Sequence, residues 1–89
     1  MMEIGNIVVM ANGIVGVVVG HKGKPYRIVT ARYSTPVDYY IENGKHRSND
    51  VYDIVEVRDG SQVENPDDCV FRKKVKVTEL PLLKENKKD

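Results

Sequence analysis

The sequence predicts an all-β fold: a small barrel of five to six short antiparallel strands with one single-turn helix before the fifth strand. Three observations carry that expectation. The 89 residues suit one domain. The apolar set is lopsided, with 15 Val and 6 Ile against 3 Leu and 2 Ala. Val and Ile are stiff at χ1 and fit a pleated strand, whereas Ala and Leu lead the helix scale. Turn signals recur at short spacing, at Asn12-Gly13, Asn43-Gly44 and Asp59-Gly60.

The first strand is read over Ile4 to Ala11, apolar by content. Asn12-Gly13 follows with apolar residues on both sides. This is the strongest short-range hairpin signal, because a type I′ turn needs φ > 0 at both central positions. Ile14 to Val19 returns as the second strand. A glycine-rich turn, Gly20 to Pro25, leads to a third strand over Tyr26 to Tyr33. Ser34-Thr35-Pro36 is read as a break, since proline cannot donate to a central ladder.

A short fourth strand is expected over Asp38 to Glu42, closed by Asn43-Gly44. Lys45 to Val51 is polar and reads as irregular. Ser48-Asn49-Asp50 can cap a single helical turn through Tyr52. The fifth strand is Asp53 to Arg58, with Ile54 and Glu56 on one face and Val55 and Val57 on the other. Residues 61–68 form a polar loop. Cys69 to Thr78 is the sixth strand candidate, stopped by Pro81. One domain is thus expected over residues 1–83, with an appended C-terminal strand. Residues 84–89 lack apolar side chains and read as a disordered polar tail.

Gly5-Asn6-Ile7-Val8-Val9-Met10 followed by Gly13-Ile14-Val15-Gly16-Val17-Val18 resembles the KOW pattern. That pattern forms the first hairpin of SH3-like barrels in ribosomal proteins and transcription elongation factors. Ser48-Asn49 and Tyr52, just before Ile54-Val55, resemble the helical turn that precedes the last strand of SH3 domains. The whole is also similar to small SH3-like proteins of phages and prophages of Gram-positive bacteria. The resemblance implies an SH3-like small barrel, a phage or mobile-element protein and a target among host or assembly proteins. Two departures stand out. Asn6 occupies a place where KOW segments often carry an acid. The chain also has no tryptophan, the main residue of the floor on which SH3 domains take proline-rich peptides.

Both faces of the first hairpin read as apolar: Val8 and Met10 on one, Ile7, Val9 and Ala11 on the other. A barrel buries only its inner face, so the second face needs a cover. The candidates are the sixth strand with Leu80, Leu82 and Leu83, a second copy of the chain, or a partner.

The binding candidates are Lys24, Tyr26, Arg27, Arg32, Tyr33, Tyr39, Tyr40, Lys45, His46, Arg47 and Tyr52. Tyrosine offers contact area, few rotamers and a polar handle, which suits recognition surfaces. Basic residues interleaved with aromatics can also stack on bases and hold phosphates. The plainer alternative is that the tyrosines cover barrel edges and the charges are solvated. The formal net charge of +1 opposes a protein devoted to phosphate backbone. Asp38, Glu42, Asp50 and Asp53 near the tyrosines give a mixed surface that favours a protein partner. The basic cluster Arg72-Lys73-Lys74 with Lys76 serves equally as a guard against edge pairing.

Catalysis finds no pattern. Cys69 is the only cysteine, so no intrachain disulfide forms, and with His21 and His46 it shows no metal-ligand spacing. The turn at Gly20 to Pro25 lacks the Gly-Lys-Ser/Thr end of a phosphate-cradling loop. The expectation is therefore no enzyme, no cofactor and no metal. A protein partner leads, with single-stranded DNA or RNA as the alternative and homodimer formation as a third reading. No apolar run approaches a membrane span and Met1-Met2-Glu3 lacks a basic-then-apolar start. A cytoplasmic location follows, the host cytoplasm if the chain is phage-encoded.

Overall fold

The computed structural model describes residues 2–20, 25–40, 44–62 and 76–85. Among them the protein forms one six-stranded antiparallel sheet and short 3-10 turns. The strands are β1 (Asn6–Met10), β2 (Val15–Val19), β3 (Arg27–Thr30), β4 (Ser34–Pro36), β5 (Ile54–Asp59) and β6 (Leu82–Glu85). Their order across the sheet is β4-β3-β2-β1-β5-β6. Strands β1 to β4 form a meander, and β5 comes back to pair with β1. The all-β expectation holds, but closure into a barrel does not. β4 and β6 lie at opposite ends of the sheet and no pairing joins them among the described residues.

β1 to β3 form where valine and isoleucine concentrate. The Asn12-Gly13 hairpin is present with a different turn. Gly13 N–H donates to Met10 O at 2.8 Å and Met10 N–H to Ile14 O at 2.9 Å. The loop therefore holds three residues, Ala11 to Gly13. Gly13 takes the left-handed backbone, at φ 85°. Asn12 Oδ1 accepts from Ile14 N–H at 3.0 Å, which steadies the turn from its side chain.

Ser34-Thr35-Pro36 is a strand rather than a break. It sits at the end of the sheet, where the N–H that Pro36 lacks is not missed. Thr30 builds the turn before it. Its Oγ1 donates to Tyr33 O at 3.0 Å and accepts from the N–H of Arg32 and of Tyr33. The strand expected from Asp38 is instead a 3-10 turn, Val37–Tyr39. Pro36 holds the extended backbone that starts it, and Tyr40 makes only an isolated bridge with His46. Ile41 and Glu42 lie outside the described residues.

The turn read before the fifth strand is there as a 3-10 turn, Asp50–Tyr52. Asn49 Oδ1 accepts from Val51 N–H at 3.1 Å and so caps it. Of the sixth strand expected over Cys69 to Thr78, residues 69–75 lie outside the described residues. Val77–Glu79 is a 3-10 turn. β6 begins only after Pro81 and takes in Lys84 and Glu85, two residues of the expected tail.

The core lies on one face of the sheet. Val8, Met10, Val18, Ile28, Tyr40, Ile54 and Val57 pack there as one buried cluster. Full burial of such side chains is worth about 1.5–3 kcal/mol each. Ile54 and Val57 share this face, against strict alternation. Met10 pairs with Ile54 but Val9 pairs with Glu56, so Val55 is an extra residue in a β-bulge. The bulge shifts the phase of β5 and puts both apolar residues inside.

The opposite face of the first hairpin is also covered within the chain at its centre. Ile7 and Val17 face each other there and both are buried. Leu82 and Leu83 do not close this face, at 45% and 55% exposed, whereas Leu80 is half-buried and residues 69–75 of the expected sixth strand lie outside the described residues. Arg58 instead stands opposite Ile7 and reaches over to the chain before β6. Its Nη1 donates to Leu80 O at 2.9 Å and Thr78 O at 3.3 Å, and its Nη2 pairs with Glu56 Oε1 at 2.6 Å.

Candidate functional site

Four of the five tyrosines gather around Met10 and His46. Two short turns bring them there. The turn Val37–Tyr39 delivers Tyr39 and Tyr40, and the turn Asp50–Tyr52 delivers Tyr52. Tyr33 comes from the corner between β3 and β4.

His46 is the hub. Its ring stacks on Tyr39 with centroids 6.0 Å apart and 20° between planes. Tyr40 meets it edge-on at 5.1 Å, and Tyr52 lies tilted at 5.5 Å. Tyr52 in turn makes an edge contact with Tyr33 at 6.2 Å. Edge and offset arrangements suit the ring quadrupoles and add about 0.5–1.5 kcal/mol per aromatic pair. His46 Nδ1 accepts from the backbone N–H of Ser48 and of Asn49, both at 3.2 Å. The ring proton is accordingly assigned to Nε2. The backbone N–H of His46 donates to Asp53 Oδ1 at 2.7 Å, and Asp53 is buried. A single side chain thus ties the tyrosines to the turn that carries Tyr52.

Beneath the rings, Met10 Sδ accepts from Tyr33 Oη at 3.4 Å and from Tyr40 Oη at 3.9 Å. Burial pushes the Tyr40 phenol well above the ordinary tyrosine value, and the neighbouring Tyr33, Asp53 and Tyr52 push it further. The Tyr33 phenol is raised by burial first and by Tyr52 second. Both stay protonated and act as donors to the sulfur.

The outer surface of the cluster differs. Tyr39 is 51% exposed, and Val51, beside Tyr52, is 45% exposed. Asp38, Lys45, Arg47 and Asp50 are exposed around them. Arg47 is held in place, its Nε donating to Asp38 O at 2.8 Å and its N–H to Tyr39 O at 2.9 Å. The first hairpin supports this face from below. Ala11 N–H donates to Asp53 O at 2.7 Å and Asn12 N–H to Val51 O at 3.0 Å.

Tyr33, Tyr39, Tyr40, His46 and Tyr52 come together, with Lys45 and Arg47 beside them. The others do not join. Lys24 lies outside the described residues. Tyr26, 40% exposed, directly precedes β3 and accepts from Val37 N–H through its backbone O. Arg27 pairs opposite Val19, on the sheet face away from the core, and its guanidinium is bound to Ser34 Oγ and O. Arg32 is exposed at the β3–β4 corner. The interleaving of Tyr26, Arg27, Arg32 and Tyr33 in sequence is therefore split in space, because Tyr33 points to the core side and Arg27 away from it. Sequence reasoning missed Met10 as the acceptor under two phenols and Asp53 as the buried anchor of His46. Their residue types carry no local signal for either role.

Among the described residues no group of three or more His, Cys, Asp and Glu could hold a metal ion, and no helix is long and apolar enough to cross a membrane. Comparison with protein-family models, curated proteins and solved structures finds no match.

Proposed function

We propose that this chain is a non-enzymatic protein-interaction module that receives its partner on the face of Tyr39, His46 and Tyr52. The observation that carries this reading is the half-exposed Tyr39 stacked on a His46 that is itself fixed by neighbours. Interface hot spots favour aromatic anchors that are rigid before binding, with polar groups at the rim. Tyr39 is such an anchor, and Asp38, Lys45, Arg47 and Asp50 supply a rim of both signs. A mixed rim matches a protein surface better than a run of phosphates.

The sheet is read here as an opened and extended SH3-like meander. The 3-10 turn directly before β5 and the pairing of β5 with β1 support that reading. The phage or mobile-element setting stays part of the proposal, as the resemblance of the first hairpin implies.

The test compares the protein with Tyr39→Ala in a pull-down from bacterial lysate. Tyr39 lies outside the buried core, so the variant stays folded and loses at most the contribution of its stack on His46. A partner held by the parent and lost by the variant is the expected result. No specific partner, or the same partners on both, overturns the reading. A low-salt fluorescence titration with single-stranded DNA and RNA tests the nucleic-acid alternative, and binding lost as salt rises would favour it.

A further inference from the structure

We propose that Asn12-Gly13 is a self-modification site, closed by the native loop and opened when the tip of the first hairpin comes loose. Both residues are exposed, and no atom outside residues 12–14 lies within 4 Å of the place where a side chain on Gly13 would begin. The tip is therefore open to water on the side where that side chain would stand. The reaction is intramolecular. Gly13 N attacks Asn12 Cγ, a C–N bond forms, and the Cγ–Nδ2 bond breaks. Ammonia leaves with the proton from Gly13 N. Water then opens the cyclic imide at either carbonyl and yields aspartate or isoaspartate.

Three hydrogen bonds hold that reaction back in the folded protein. Gly13 N–H donates to Met10 O at 2.8 Å, and a carbonyl oxygen facing the nitrogen disfavours the deprotonated form that attacks. Ile14 N–H holds Asn12 Oδ1 at 3.0 Å and so fixes the carboxamide. Asn12 N–H is bound to Val51 O at 3.0 Å and pins the loop to the neighbouring turn. Intramolecular attack requires a near-attack arrangement of the two groups. The loop reaches it only by local opening.

The product has a consequence for the aromatic face. Isoaspartate at position 12 inserts one more backbone atom between Asn12 N and Gly13 N. The bonds to Val51 O and Met10 O then cannot both keep their register. Val51 belongs to the turn that presents Tyr52, so the modification loosens the support of that face irreversibly. The chemistry at Asn12 does not depend on the interaction reading.

The experiment incubates the intact chain in mildly alkaline buffer, with and without urea. Peptide mapping by mass spectrometry follows the replacement of NH2 by OH at residue 12 separately from the second Asn-Gly pair, Asn43-Gly44. Conversion at residue 12 is expected to be slower in the folded protein by about tenfold or more, the factor that about 1.4 kcal/mol of local opening gives. Asn49→Ala, which removes the acceptor for Val51 N–H, should speed conversion at residue 12 without urea. Asn12→Gln should abolish it. Equal rates in both conditions, or no conversion at residue 12 in urea, overturn the proposal.

Discussion

Gly16→Ala is a test in which the sign of the effect decides the argument. Gly16 lies in β2 between Val8 on β1 and Thr30 on β3, and it faces the core. A Cβ built there would stand 2.5 Å from Ile28 Cγ2, and 3.4 Å from both Thr30 Cγ2 and Val29 O. Ile28 is fully buried, so its methyl has nowhere to retreat without moving the cluster. Overpacking a filled core costs about 1–3 kcal/mol. The backbone works the other way. Gly16 does not use the left-handed region, so alanine at this position restricts only the unfolded chain and stabilises by about 0.4–1 kcal/mol. The middle of each range, about 2 against about 0.7 kcal/mol, leaves a net loss of about 1.3 kcal/mol, or about 5–10 °C in Tm for a chain of this length. The assay is urea and thermal unfolding followed by far-UV circular dichroism and tyrosine fluorescence, the chain having no tryptophan. Ile28→Leu completes the cycle. It removes the offending Cγ2 at constant volume, so the double variant should be more stable than the sum of the two single changes implies. A Gly16→Ala protein as stable as the parent, or strictly additive effects, would refute the packing account.

Alkaline conditions should weaken the fold through Tyr40 and, to a lesser degree, Tyr33. Below the ordinary tyrosine value of 10.0 both phenols are protonated, folded or unfolded, and their contribution is constant. Above it the unfolded chain ionises first and binds fewer protons, so stability falls as pH climbs towards the raised folded values. Tyr40→Phe should flatten that decline in urea titrations above pH about 10; an unchanged slope would show that the phenol is not responsible. Asn49→Ala should cost about 0.5–2 kcal/mol, the usual range for a lost cap. Amide exchange at Val51 and Tyr52 should speed up more than exchange in β1, and uniform acceleration would place the cap's effect on global unfolding instead.

Much of the sheet is legible from local features. β1, β2, β3 and β5 coincide with the runs of Val and Ile, because β-branched residues favour the strand wherever they fall. The Asp50–Tyr52 turn is equally local, since Asn49 caps a residue only two positions on. β4 escaped because Ser34-Thr35-Pro36 looks like a break. Proline is admissible only at an edge, and which strand is an edge depends on the whole sheet. β6 escaped for a similar reason. Leu82 to Glu85 is a strand because β5 offers it hydrogen bonds, while its own side chains are exposed. In the candidate site the sequence marked Tyr33, Tyr39, Tyr40, His46 and Tyr52 by type, yet grouped Tyr33 with Arg27, which lies on the other face.

The sequence alone determined the β class, the first hairpin with its glycine-bearing loop and the capped turn ahead of β5. Each rests on interactions spanning a few residues. Only the tertiary structure decided the openness of the sheet, the bulge at Val55 that turns both Ile54 and Val57 inward, and the meeting of four tyrosines on Met10 and His46. Those outcomes depend on which strand pairs with which and in what register. A one-residue shift in pairing reverses every side chain downstream of it.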